Sequence, residues 1–200
     1  FGAAFFFKSQ PQQSQSTAPA GDNQVANKQA LVRFHSPSFG PSNASVTIVE
    51  FFDPSCEACR AFYPIVKQIL AKYPDDVRLV LRYTLFHQGS EEVSRILEAA
   101  RLQNVFEPVL EAILEAQPSW HDDPKVAKAW LAAESAGLNI AKAREDMHSD
   151  IINATLDKDR QDAATMGVQR TPTFFVNGRE LTEFRPGPLL RLVQESLPAK

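Results

Sequence analysis

Val46-Thr47-Ile48-Val49-Glu50-Phe51-Phe52, followed by Asp53-Pro54-Ser55-Cys56-Glu57-Ala58-Cys59, is the stretch on which the reading of this chain turns. Its first part is nearly continuous in apolar and β-branched residues, the pattern of a strand buried on both faces of a sheet. A helix-like run follows from about Glu57 to Tyr73, with Pro64 inside it, where the missing backbone donor predicts a kink. Cys56 and Cys59, the only two cysteines, thus stand at a strand-to-helix junction. Unpaired N–H groups and the positive dipole end of a helix stabilise a thiolate, the form that attacks disulfides. The spacing therefore points to thiol–disulfide exchange, with Cys56 as nucleophile at the exposed helix start and Cys59 one turn inward. A purely structural bridge between residues so close would close little chain entropy.

The totals bound the alternatives. Two hundred residues, 44% of them hydrophobic, suffice for one domain or for one domain with a large insertion. A net charge of −3 with no Lys/Arg run argues against a nucleic-acid partner. One cysteine pair cannot build a disulfide scaffold, and the absence of a second pair excludes a four-cysteine zinc site.

The chain opens Phe1-Gly2-Ala3-Ala4-Phe5-Phe6-Phe7-Lys8, which reads as the end of a longer apolar segment (residues 1–8). A membrane anchor is favoured over a cleaved signal, because Ala18-Pro19-Ala20 lies too far into polar sequence to follow an apolar region. A tag remnant is the other alternative. Residues 9–30, rich in Gln, Ser, Pro and Ala, read as a flexible linker.

Leu31 to Phe34 reads as an edge strand, and Pro37, Gly40 and Pro41 as a turn-rich loop. Val77 to Leu85 is a second strand. Residues 90 to 166 read as helical, with Ile152, Leu156 and Ala163 on one stripe and Val126 with Trp130 on another. Breaks are expected at Pro108, at Pro118 to Pro124, and at Gly137-Leu138-Asn139. Strand character returns at Thr173-Phe174-Phe175-Val176, with a hairpin turn at Asn177-Gly178, a short strand through Leu181, and a helix from about Gly187 to Leu197. Glu50 lies inside the apolar strand, where an ionised carboxylate is costly, so its pKa should be raised.

This order, with Cys-x-x-Cys after the first central strand and Thr171-Pro172 before the last hairpin, resembles the thioredoxin fold: an α/β architecture with a central mixed sheet flanked by helices. The long helical insertion and the Phe51–Cys59 segment resemble the bacterial DsbA-like thiol:disulfide oxidoreductases, with closeness to DsbG- or ScsC-like periplasmic proteins. The resemblance covers about residues 44–197. It implies a first part of the fold at 31–88, an inserted helical domain at 89–166, and a second part at 167–200.

The resemblance also implies roles. Cys59 would resolve the mixed disulfide formed at Cys56. Thr171-Pro172 matches the family's cis-proline pair, which packs against the nucleophile and leaves the preceding backbone free for an extended substrate; an ordinary trans proline is the alternative. Glu50 matches the buried acid that takes or gives the Cys59 proton. Glu57 and Ala58 replace the Pro-His of the strongly oxidising members. Negative charge at Glu57 should raise the Cys56 pKa and make the pair a weaker oxidant. Arg60 either counters Glu57 or lies on a solvated helix face. His87, His121 and Trp120 read as surface histidines and a packed tryptophan rather than as rim residues.

The function expected on these grounds is exchange of disulfides with protein substrates in the bacterial cell envelope, in the periplasm and tethered to the inner membrane by the N-terminal anchor. Oxidase, isomerase and reductase remain open. The polar 9–30 segment is too short for a dimerisation module, which favours a monomer with a membrane redox partner protein. No cofactor or resident metal is implied. The competing reading is a Cu(I)-binding protein of copper tolerance, since two thiolates three apart can hold Cu(I).

Overall fold

The computed structural model describes residues 29–199. The expected segment at 1–8, and the linker up to residue 28, lie outside the described residues. The element order is β1 (Ser38–Phe39), β2 (Val46–Phe52), α1 (Glu57–Lys72), β3 (Val77–Tyr83), α2 (Ser90–Leu102), α3 (Phe106–Ala116), a 3-10 turn (Gln117–Ser119), α4 (Ala127–Ser135), α5 (Ile140–Asp146), α6 (Asp150–Thr165), β4 (Thr173–Val176), β5 (Arg179–Glu180) and α7 (Pro186–Ser196).

The strands form one mixed sheet in the order β1-β3-β2-β4-β5. β2 and β3 are parallel, joined through α1, and pair Glu50 with Leu81. β4 runs antiparallel to β2 and pairs Phe174 with Glu50. The two central strands are mostly apolar because both of their faces are covered, with Glu50 and Arg82 as buried charged exceptions. The period of two divides them cleanly: Val46, Ile48 and Phe52 of β2, with Leu79 and Leu81 of β3, enter the large core under α1, α7 and the helical block. Val49, Phe51 and Val80 face the other way, against Leu31, Ala163 and Val168. Glu50 therefore projects on the same face as Cys59.

Three sequence expectations change. Leu31 to Phe34 is not a strand: Gln29–Leu31 is helical and the sheet edge is β1. Ala30, assigned to the linker, is buried, because its carbonyl and that of Leu31 accept from the guanidinium of Arg82. Pro108 does not break the helical block. It falls in the first turn of α3, where its missing N–H would have no helical partner in any case, and the break lies upstream at Asn104, whose φ is 59°.

The second core contains a buried ionic cluster. Arg82 is fully buried and pairs with Asp159 at 2.8 Å and Asp162 at 2.7 Å. Asp159 also accepts from the Tyr83 backbone N–H and contacts His35, and Asp162 receives both ends of the Arg33 fork. Burial works against ionisation of Asp162, but donors from Arg33 and Arg82 outweigh it and hold the carboxyl down at about 2. The cluster fastens α6 and residues 30–35 to the outer face of β3.

Candidate active site

Cys56 is the N-cap of α1, with extended φ/ψ of −78° and 120°, so its sulfur sits beside the first free N–H groups of the helix. The loop is closed behind it by Cys56 N–H donating to the Asp53 carbonyl at 3.0 Å. Both cysteines are free thiols. Cys56 is 5% exposed and Cys59 fully buried.

The two sulfurs are strongly unequal. A hydrogen bond from the Cys59 thiol is the largest influence on Cys56. Burial opposes it, the Thr171 hydroxyl and the backbone N–H groups of Cys59 and Ala58 add to it, and the thiol is pulled down to about 5. Burial pushes Cys59 the other way, well above its ordinary value, reinforced by its hydrogen bond with Cys56 and by the charge of Glu50. The Asp53 backbone N–H, 3.5 Å from the Cys59 sulfur, is the one donor set against that rise.

Glu50 is 1% exposed, and its Oε1 is buried without a hydrogen-bond partner among the described residues. Burial, then the Cys56 charge, raises its pKa to about 8. Across the cleft, the Cys56 thiol donates to the Thr171 carbonyl at 3.3 Å, and the Thr171–Pro172 bond is cis. The fold thus brings Cys56, Cys59, Glu50, Thr171 and Pro172 together from β2, α1 and the segment before β4. Ala58 is half-buried and lends its backbone N–H to the thiolate.

Glu57 is placed differently from the others. Its side chain is 67% exposed and lies 3.8 Å from His121, so its carboxylate is turned into solvent. The principal influences on the Cys56 thiol are the donors named above, and they lower its pKa. Arg60 does not counter Glu57 either; its Nε donates to Gln117 at 2.9 Å. Trp120 is packed, donating its indole N–H to the Ile113 carbonyl.

Two residues gained no role from the sequence. Gln117, fully buried, donates its amide to the carbonyls of Pro54 and Cys56 and so ties the thiol loop to the helical block. No local signal marks it, because its partners lie some 60 positions away. Asp53 is fully buried and accepts from Ser55 N–H, Phe86 N–H, His87 N–H, the Ser90 hydroxyl and His87 Nδ1. Its Asp-Pro-Ser setting is an Asx-turn signal that the sequence does carry.

A cis-proline wall opposite an N-cap cysteine, with a buried partner thiol and a buried acid on a mixed sheet, defines a thioredoxin-fold dithiol protein. A family model described as Thioredoxin matches residues 34–194, and the chain belongs to that family. Among solved structures, a thioredoxin-like oxidoreductase from Silicibacter pomeroyi is 26% identical with a TM-score of 0.71, covering 82% of this chain and 93% of that one. The catalytic domain of Proteus mirabilis ScsC shares the fold at 20% identity and a TM-score of 0.71, covering 88% and 97%. The mixed sheet with its helices matches the thioredoxin-like fold of these structures. A Na(+)/H(+) antiporter NhaA from Herminiimonas arsenicoxydans is 31% identical over 142 residues, 71% of this chain but 22% of the antiporter. The chain spans about a fifth of the length of the curated relatives it matches.

Proposed function

We propose that this protein is a thiol:disulfide oxidoreductase that exchanges disulfides with protein substrates through Cys56 and Cys59. The observation that carries the reading is the opposed pair of thiols: one drawn down to about 5 at a helix start, its partner held protonated by burial one turn inward.

In the reducing direction the Cys56 thiolate attacks a substrate disulfide, forming a mixed disulfide and releasing one substrate thiolate. Cys59 then passes its proton to Glu50 and attacks the Cys56 sulfur. The intramolecular disulfide forms and the second substrate thiolate leaves. In the oxidising direction a substrate thiolate attacks Cys56 of the disulfide, and Cys59 departs, taking a proton from Glu50. A second substrate thiolate then attacks the substrate sulfur of the mixed disulfide and expels Cys56. A thiol with a pKa near 5 is a good leaving group, which favours this second direction.

The Cys56 value falls between the roughly 7 of thioredoxin and the roughly 3.5 of the strong bacterial oxidase. The reduction potential should accordingly lie between about −270 and −120 mV, short of the strong oxidase. Equilibration with glutathione redox buffers and mass-spectrometric counting of free thiols measures it. A potential outside that interval, or failure of the wild-type protein to exchange disulfides with a reduced, unfolded substrate, would overturn the reading.

In this reading the protein works as a monomer in the periplasm, recycled by a membrane redox partner, with residues 1–8 as the end of its anchor. Among the described residues no helix is long and apolar enough to cross a membrane. Residues 89–166 act as an inserted domain that buttresses the thiol loop between the two parts of the fold, and the Gln117 bonds support that assignment.

A further inference from the structure

Neither position between the two cysteines carries a cation; they are Glu57 and Ala58. The loop of residues 84–89 between β3 and α2, which packs on the thiol segment, carries a histidine. His87 Nδ1 lies 2.7 Å from Asp53 Oδ2, and the same Asp53 bonds Ser55 N–H and, through its carbonyl, Cys56 N–H. Gly89, with φ of 78°, lets this loop close against Val126 beside the thiol segment. A Cβ there would stand 3.8 Å from the Ser55 hydroxyl and 2.6 Å from a Val126 methyl.

We propose that His87, seated by the buried carboxylate of Asp53, supplies the positive charge that the Cys56–Cys59 dipeptide lacks. Asp53 is then a positioning residue, and the Asp53–His87 pair a proton-controlled regulator of Cys56.

The argument is one of charge. Asp53 places a fully buried carboxylate three residues before Cys56, and its own backbone carbonyl holds the Cys56 N–H at 3.0 Å. Four of its five donors, Ser55 N–H, Phe86 N–H, His87 N–H and the Ser90 hydroxyl, are neutral dipoles. His87 alone can change its charge. Protonated, it cancels Asp53 and leaves the thiolate unopposed; neutral, it leaves a buried carboxylate facing a thiolate.

The groups facing His87 are Asp53 and Cys56 on the protein side, and Glu91, Glu92, Arg95 and His148 around the open pocket it lines. Arg95 is committed to Glu91, to the Met147 carbonyl and to Asn153. Partial burial disfavours the imidazolium, but the Asp53 hydrogen bond and charge and the Cys56 charge outweigh it, so His87 is held above its ordinary value.

Coupling of this kind is reciprocal. Reduction creates the thiolate, so His87 must keep its proton to higher pH in the dithiol form than in the disulfide form. The inference rests on the exchange chemistry proposed above, but its test does not need turnover. NMR titration of the His87 ring in both redox forms of the full chain should show that difference. The Cys56 thiolate, followed by its ultraviolet absorbance, should fall about fivefold at pH 5 in His87→Gln, because a half-exposed charge delivers the lower end of a charge-pair shift, about one unit. His148→Gln, in the same pocket, should change neither.

His87 is 46% exposed, so its replacement leaves the core intact. Asp53→Asn should abolish the redox dependence of the His87 titration, and if that variant does not fold, His87→Gln decides alone. Identical His87 titration in the two redox forms, or a wild-type Cys56 titration in His87→Gln, overturns the pairing. A wild-type protein that fails to exchange disulfides overturns the proposed function instead and leaves the titrations to decide the pairing.

Discussion

At Cys56 the thiol donates to the Thr171 carbonyl, but once ionised it can only accept. The Thr171 hydroxyl is then the side chain placed to respond, since it is buried and, among the described residues, makes no hydrogen bond while the thiol keeps its proton. Thr171→Val keeps the shape and removes the donor. A charge-assisted hydrogen bond contributes about 1.5–3 kcal/mol. The Cys56 pKa in this variant should therefore rise by about one unit, read as a tenfold slower reaction with a thiol reagent below pH 5. An unchanged rate would show that the helix donors suffice. Glu50 makes a second case. Unfolded, it ionises near 4.5; folded, it keeps its proton to about 8. Between those values the unfolded chain binds fewer protons, so stability falls as pH rises. Glu50→Gln removes that dependence. It should match the wild type near pH 4 and exceed it by about 4 kcal/mol at pH 8 in urea unfolding, while slowing release of the mixed disulfide. A variant less stable at pH 8 would contradict this account of the buried acid.

Among the elements, α6 and β3 hold each other through charge as much as through apolar contact. Asp159 is fully buried and satisfies Arg82, His35 and the Tyr83 N–H at once. Removing one partner of a buried ionic network costs up to about 3–5 kcal/mol; Arg82 would keep Asp162 but lose both Asp159 contacts, and the Tyr83 N–H and His35 would lose their acceptor. Asp159→Ala should lose stability of that order in denaturant unfolding. A loss under about 1 kcal/mol would mean that water enters and re-solvates Arg82. The elements themselves were largely legible. Continuous apolar runs gave β2 and β3, and Asn177-Gly178 gave the last hairpin, because those signals are local. The exceptions have physical reasons. Leu31 is apolar enough for a strand, but its backbone is drawn onto Arg82, a partner 51 residues away. Pro108 looks like a breaker until its place in the first turn is known.

For the molecule as a whole, sequence and structure agree on which residues meet at Cys56 and diverge on what surrounds them. Cys56, Cys59 and Glu50 could be read from one short segment, because strand, loop and helix start place them on one face. Glu57 could not be judged from its charge alone; only the fold shows it 67% exposed and turned to His121. Asp53, Gln117 and His87 were illegible as a set. They meet only when the loop after β3 and the end of α3 close over the thiol segment, a tertiary contact with no periodic trace.

The far-face cluster also bears on where this chain can be cut. The family match begins at residue 34, just beyond the Ala30 and Leu31 carbonyls that cap the Arg82 guanidinium. A recombinant fragment trimmed to that boundary would keep every element of the sheet and both thiols. It would nonetheless uncap a buried cation and open the second core where Leu31, 4% exposed, now seals it. Expression boundaries for this protein belong upstream of Gln29.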